Sequence, residues 1–228
     1  MKIPKKIKIP KMSEDLAYLC GVLVGDGSIA IRENKNEYLV NCGGNPKDEI
    51  QFYKEIIVPI FKKLFDINIK DKLMGKTYGV NIYSKNLVLF LLNNIGLSRS
   101  PKTEIGIPTG FYQKQELLLS FIAGVADTDF SFKLRKGNYP IISGCSKSKN
   151  LMQEISFILE NHGFKVLRYF DYKVNDQRLK KGYNIINRID INGHEQFARW
   201  ITLIGTRQPK NLLKIELWKQ NRSKKNLS

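Results

Sequence analysis

The sequence predicts an α+β fold made of two pseudo-symmetric αββαββα repeats, each with its own antiparallel sheet. Three observations predict it. The stretch "FIAGVADTDFSF" (121–132) echoes "YLCGVLVGDGSI" (18–29), and at one offset of 103 residues Gly21 matches Gly124, Asp26 matches Asp129, Ser28 matches Ser131, Arg32 matches Arg135 and Cys42 matches Cys145, without a gap. Each half then runs through the same order of hydrophobic periods: helix, hairpin, helix, hairpin, helix. Neither half carries a GxxxxGK[ST] loop or a GxGxxG turn, which leaves a nucleotide-binding parallel sheet unsupported.

In chain order, the spacing predicts a helix over 13–25, apolar nearly all round. Strands over 28–33 and 37–43 follow, from alternating apolar and polar positions. The amphipathic run "KDEIQFYKEIIVPIFKKLF" reads as a long helix kinked at Pro59. Strands over 67–74 and 77–83 and a helix over 85–95 close the first unit. The segment "GLSRSPKTEIGIPTGFYQK" is rich in Gly, Pro and Ser and reads as a linker. The second unit repeats the order: helix 114–127, strands 130–136 and 139–145, helix 147–162, strands 164–174 and 182–191, helix 194–204. A last helix from about Pro209 runs into a basic tail. The domain expectation is one repeat over 13–97, a linker over 98–113, a second repeat over 114–222, and basic tails at 1–12 and 223–228.

The chain of 228 residues carries 38 Lys+Arg against 21 Asp+Glu, a net charge of +17, and 42% of its residues are hydrophobic. Such a chain builds a core and is not disordered. Its charge points to a polyanionic partner, first of all nucleic acid, although a basic ribosomal-type protein has the same balance. The three cysteines are far apart and the two histidines add no metal spacing, so neither a disulfide framework nor a zinc site is expected. The cysteines fit buried, unbridged thiols in a reducing, intracellular setting: cytoplasm, nucleoid or organelle. The start "MKIPKKIKIPKM" lacks the apolar run of a signal peptide, and the longest apolar stretch, 117–126, is too short for a bilayer, so neither secretion nor a membrane partner is expected.

On a 3.6 period Ala17, Gly21 and Gly25 form one stripe, matched by Ser120, Gly124 and Thr128. Small stripes let helix backbones approach closely, so the two repeated helices are expected to pack together at the centre. Asp26 and Asp129 then end these helices, where the macrodipole disfavours an anion. A carboxylate after a helix is commonly just a turn residue. Two in register argue for a cation that neutralises them. Oxygen ligands suit Mg²⁺, which keeps waters and accepts phosphate oxygens.

"LCGVLVGDG" (19–27) and "IAGVADTDF" (122–130) resemble the paired motifs of the LAGLIDADG homing endonucleases in their single-chain, two-repeat form. The resemblance covers residues 13 to 215. It implies two antiparallel sheets forming a saddle around the central motif helices. It implies Asp26 and Asp129 as metal-binding acids, with Gly25 and Thr128 offering backbone carbonyls. Phe130 stands where the first copy has Gly27, and Val24 where the second keeps Asp127, a position that is usually structural. The family's polar or basic residue near each metal is sought in Lys147 and in Asn45, beside its register partner Gly44. Lys102 and Lys210 resemble the family's lysines near the cleavage site. Each of these four also reads as a solvated surface side chain.

Strand alternation places Ser28, Ala30 and Arg32 on an outward face, with Asn68, Lys70 and Lys72, and with Asn81 and Tyr83. In the second repeat Ser131, Lys133 and Arg135 face outward while Phe130 and Phe132 face the core. Arg168, Asn184 and Arg188 are the outward candidates of the last hairpin. Such a ribbon fits a DNA major groove, where Arg or Lys reads guanine and Asn reads adenine. The function implied is a monomeric, Mg²⁺-dependent, site-specific double-strand DNA endonuclease of intron homing, acting on an asymmetric site and leaving short 3′ overhangs. The alternative is an RNA maturase acting on its own intron RNA, or a DNA-binding regulator, on the same scaffold without cleavage. The sequence has no Cys or Ser nucleophile at its start and no terminal His-Asn, so a self-splicing intein is not expected.

Overall fold

The computed structural model describes residues 7–177 and 179–225. The expected basic tails therefore fall partly, at 1–6 and 226–228, outside the described residues.

Helix α1 (Glu14–Gly25) starts where Ser13 accepts a hydrogen bond from the Leu16 amide and Glu14 and Asp15 oppose the positive helix end. Strands β1 (Gly27–Arg32) and β2 (Glu37–Gly44) form a hairpin. The next helical run is not uniform. Helix α2 (Ile50–Phe52) passes into a π-helical stretch, Tyr53–Ile57, before α3 (Val58–Phe65). Pro59 has no amide hydrogen for the α ladder, and the π-helical turn lies just before it. Strand β3 (Asp71–Met74) starts later than its alternation suggests, so Asn68 and Lys70 precede the strand; β4 (Thr77–Tyr83) matches its expected range. Ser84 caps α4 (Lys85–Leu89), which continues as a π-helical stretch over Phe90–Ile95. The first sheet has the order β1-β2-β4-β3 and is antiparallel throughout.

Helix α5 (Gln115–Asp129) leads into β5 (Phe130–Arg135) and β6 (Tyr139–Ser146). Helix α6 (Lys149–Asn161) is capped by Ser148. Strands β7 (Val166–Asn175) and β8 (Tyr183–Asn192), then α7 (His194–Leu203) and α8 (Pro209–Lys225), complete the chain. The second sheet repeats the first, in the order β5-β6-β8-β7. Each repeat thus has the αββαββα order, and α8 is appended after the second.

The hairpin registers correct one equivalence. Gly27 lies opposite Cys42, but Phe130 lies opposite Gly144, so the second hairpin turn is one residue shorter. Cys42 therefore corresponds to Gly144. Cys42 is buried, whereas Cys145 points to the other face and is exposed, contrary to the expectation that the thiols are interior. The bulky Phe130 and the Gly144 opposite it are complementary, because a Cβ on Gly144 would collide with the Phe130 ring.

The chain divides into two compact units. The first holds the chain up to Pro101, Pro108–Thr128 and Thr206–Lys210; the second holds Lys102–Ile107, Asp129–Gly205 and the chain from Asn211 on. Helix α5 up to Thr128 is thus part of the first unit, together with α1. A Cβ on Gly21 would collide with the Phe121 carbonyl and lie 2.8 Å from the Val125 nitrogen; one on Gly124 would collide with the Tyr18 carbonyl and lie 2.9 Å from the Val22 nitrogen. The two helices pack backbone to backbone at these glycines. Asp127 is buried beside them, taking a 2.6 Å hydrogen bond from the Tyr18 hydroxyl and a 2.7 Å bond from the Arg207 amide, with the Thr206 hydroxyl also donating. It fastens the segment 206–208 to the helix pair. The remaining core of this unit includes a Phe61–Phe65–Phe90 cluster. In the second unit Trp200 is fully buried, with ring centroids of Phe130, Phe164 and Phe132 at 6.0, 5.9 and 6.2 Å.

Candidate nuclease sites and nucleic-acid interface

In the first unit, Asp26 follows the last turn of α1 as its C-cap, its amide donating to the Val22 carbonyl at 3.0 Å. Gly44 ends β2 next to it. A Cβ on Gly44 would lie 3.3 Å from Asp26 Oδ2 and would collide with Glu49 Oε2, so both carboxylates meet at this glycine. Glu49, only 5% exposed, is the residue before α2. Its Oε2 accepts the Asn45 amide at 2.7 Å, and Lys210 Nζ donates to its Oε1. Tyr53 packs beneath: burial first, then Cys42, Asp26 and Glu49, push its hydroxyl pKa far up, and it lies 3.7 Å from the Cys42 thiol. Asp26 and Asn45 are sequence candidates for this site, and Lys210 is a candidate that the sequence assigns to neither site. Glu49 is not among the candidates. It falls in the charged start of the run read as a long helix, where an acid is unremarkable, and its role depends on a lysine 161 positions away.

In the second unit, Asp129 is the last residue of α5. Burial pushes its carboxyl up to about 6, partly countered by the positive charge of Lys102. Although the residue is exposed at the sheet face, partial desolvation of its thiol and then the charge of Asp129 raise the Cys145 pKa, against the opposing charges of Arg188 and Lys133. Asp129, Lys102 and the exposed strand side chains thus share one neighbourhood. Lys147 follows β6 and lines an adjoining depression with Lys149, Lys181 and Asn184. The shorter hairpin turn makes Lys147 the counterpart of Asn45 rather than of Gly44.

The two lysines after the third helix of each repeat change sides. Lys102 belongs to the unit of Asp129, and Lys210 to the unit of Asp26. Gly25 and Thr128 precede the two acids; the Thr128 hydroxyl is turned back onto its own helix, donating to the Val125 carbonyl at 2.9 Å.

On the outward face of the first sheet Ser28, Asn41 and Asn81 stand in one row, and Asn41 Nδ2 donates to Asn81 Oδ1 at 2.6 Å. Ala30 lies two pairs further along, opposite Leu39, which in turn faces the exposed Tyr83. Lys72 is opposite Gly79. Arg32 is exposed at the sheet end and paired with Glu37 at 2.7 Å. Asn68 and Lys70 are exposed in the segment that precedes β3. On the second sheet Ser131 stands in a row with Ser143 and Asp190, and Lys133 and Arg135 follow on the same face. Arg188 lies over the rings of Tyr169 and Tyr172, at 4.4 and 5.5 Å, with Asp190 Oδ2 at 3.2 Å. Asn184 is on the same side of β8 by alternation.

Arg168 corrects an expectation. It lies opposite Ile189 in register, on the face toward α6, where its Nε donates to Ser156 Oγ at 2.9 Å and its guanidinium pairs with Glu160. A β-bulge between Tyr169 and Tyr172, with Asp171 at φ 53°, shifts the alternation of the strand.

Among the described residues no group of three or more His, Cys, Asp or Glu could hold a metal, and no helix is long and apolar enough to cross a membrane.

No family model matches the chain. An uncharacterized protein of Methanocaldococcus jannaschii is 28% identical over 195 residues, 80% of this chain; the match spans 66% of that relative's length. Among solved structures, the homing endonuclease I-DmoI in complex with DNA and calcium superposes with a TM-score of 0.63 at 19% identity, over 89% of this chain and 97% of that one. I-DmoI in complex with DNA and manganese gives 0.63 at 20% identity, over 84% and 96%. Mesophilic variants of I-DmoI give 0.62 at 19%, over 89% and 97%. The chain has the two-repeat fold of the single-chain LAGLIDADG homing endonucleases.

Proposed function

We propose that this chain is a site-specific, metal-dependent DNA endonuclease that acts as a monomer, cuts both strands of an asymmetric duplex and serves intron homing. The observation that carries the reading is the repeated pairing of an acid at the foot of a motif helix with a lysine that follows the third helix of the other repeat: Asp26 with Lys210 through Glu49, and Asp129 with Lys102.

The donor chemistry fits a divalent ion with oxygen ligands, because the side chains at hand are carboxylates: Asp26 with Glu49 at Gly44, and Asp129 at the end of α5. Asp26 and Asp129 would hold the ions, with the carbonyls of Gly25 and Thr128; Mg²⁺ is the ion we assign. A bound ion would supply charge stabilisation at the scissile phosphate. The complexes of I-DmoI with DNA and with calcium or manganese support this reading.

The chain's own residues do the rest. Lys102 and Lys210 bring cations to the two sites, where negative charge grows on the phosphate oxygens. Asn45 and Lys147, at matching places after β2 and β6, reach toward the same strands of DNA. Ser28, Ala30, Asn81, Tyr83, Lys72, Arg32, Asn68 and Lys70 from the first repeat, and Ser131, Lys133, Arg135, Asn184 and Arg188 from the second, contact bases and phosphates. The different side chains of the two faces favour an asymmetric target, and short 3′ overhangs are the expected product.

The test is the pair Asp26→Asn and Asp129→Asn, assayed on a duplex selected by the protein from a randomised library in Mg²⁺. Each variant should lose cleavage of at least one strand by a hundredfold or more while affinity for the duplex changes less than threefold. Wild-type protein that binds a selected duplex but never cuts it would overturn the nuclease reading.

A further inference from the structure

The residue before the helix that follows the second strand is Glu49 in the first repeat and Ser148 in the second. Both are buried, and each holds a segment that carries one of the two lysines: Ser148 the linker after Lys102, Glu49 the start of α8. Ser148 does so through the backbone: its hydroxyl takes a 3.0 Å bond from the Ile105 amide and donates back to the Ile105 carbonyl at 2.6 Å, three residues after Lys102. Glu49 instead grips the lysine itself. Its carboxylate is fixed by the Asn45 amide on one oxygen and meets the Lys210 ammonium on the other. The ion pair is largely withdrawn from water, with side-chain exposures of 6% and 32%. Gly44 makes room for it, since any larger residue there would strike the Glu49 carboxylate. The far end of the segment is fastened separately, by Asp127 to Thr206 and Arg207.

We propose that Glu49 is a positioning residue for the Asp26 site: it sets the place of the Lys210 ammonium beside the Asp26 carboxylate, while the position before the corresponding helix of the second repeat is Ser148, bonded to the Ile105 backbone. The inference rests on the nuclease reading above. A long flexible lysine has many rotamers, and holding its ammonium where charge develops lowers the cost of reaching the reactive geometry. Glu49 then serves the Asp26 site alone, so the two strands of one target respond separately to its substitution.

The experiment is strand-resolved, single-turnover cleavage of an end-labelled duplex selected from a randomised library, at saturating protein and Mg²⁺. Glu49→Gln keeps an acceptor for the Asn45 amide and loses the charge that holds Lys210. It should slow cleavage of one strand by about tenfold or more, the same strand slowed by Lys210→Met, and leave the other strand within twofold. The double variant should be no slower than Lys210→Met alone, because Glu49 acts through that lysine. A merely structural Glu49 would slow both strands together or lower the unfolding midpoint in proportion, and that result overturns the proposal. So does a Glu49→Gln variant that cuts both strands at the wild-type rate, or a double variant in which the losses multiply. Wild-type protein that cuts neither strand would instead overturn the nuclease reading itself, and this proposal with it.

Discussion

Gly21 and Gly124 face each other where α1 and α5 touch: a Cβ on Gly21 would come 3.0 Å from Gly124 Cα and collide with the neighbouring helix's backbone. Alanine is ordinarily the better helix former by about 1 kcal/mol. Here the sign should invert. Gly21→Ala and Gly124→Ala should each destabilise the protein by about 2–3 kcal/mol, read as a drop in the urea midpoint at constant slope. A control at a glycine with open surroundings, such as Gly137 at φ 78°, tests strain of a different origin, in the backbone alone.

Asp129 should make metal-free stability depend on pH. Its folded carboxyl titrates at about 6, above the value of 3.8 for an unperturbed group. The folded state therefore binds an extra proton between those values, and stability falls as pH rises through that window and stays lower above it. The loss is on the order of 3 kcal/mol, from about 1.4 kcal/mol per unit. Asp129→Asn should be more stable than the wild type at pH 7.5 in EDTA, with the difference vanishing toward pH 4. A wild type whose urea midpoint does not change between pH 4.5 and 7.5 relative to the variant contradicts this.

Asp127 is the buried anchor between the helix pair and the segment leading to Lys210. Its partners are the Tyr18 hydroxyl, the Thr206 hydroxyl and the Arg207 amide. Asp127→Ala should cost about 3 kcal/mol, because several donors are left buried without their acceptor. Hydrogen exchange at the Arg207 amide should speed up in this variant beyond the change seen at the β2 and β4 amides.

Arg188 and Arg168 should separate cleanly in binding assays. Arg188 is held over Tyr169 and Tyr172 on the outward face. Arg188→Ala should relax base preference at one position of a selected target by about 1–3 kcal/mol. Arg168, bonded to Ser156 and Glu160 of α6, should affect the melting temperature and leave the base preference unchanged.

Sequence alone was enough for the duplication, the order of elements, the two motif helices and the acids that end them. Those features are local or periodic: a small stripe at helical spacing, an alternation along a strand, a pattern repeated at one offset. Phe130 as a core residue and Lys72, Ser131 and Arg188 as outward ones followed from alternation. Features set by partners distant in the chain did not follow. The one-residue difference between the hairpin turns moved Cys145 to the opposite face from Cys42, although the identities aligned without a gap. A bulge in β7 shifted its alternation, and Arg168 turned toward a helix. Glu49 has no local signature, because what makes it matter is Lys210 arriving from the far end of the chain. Periodicity reports how a segment divides itself between core and solvent; only folding decides which distant charge will stand beside a given carboxylate.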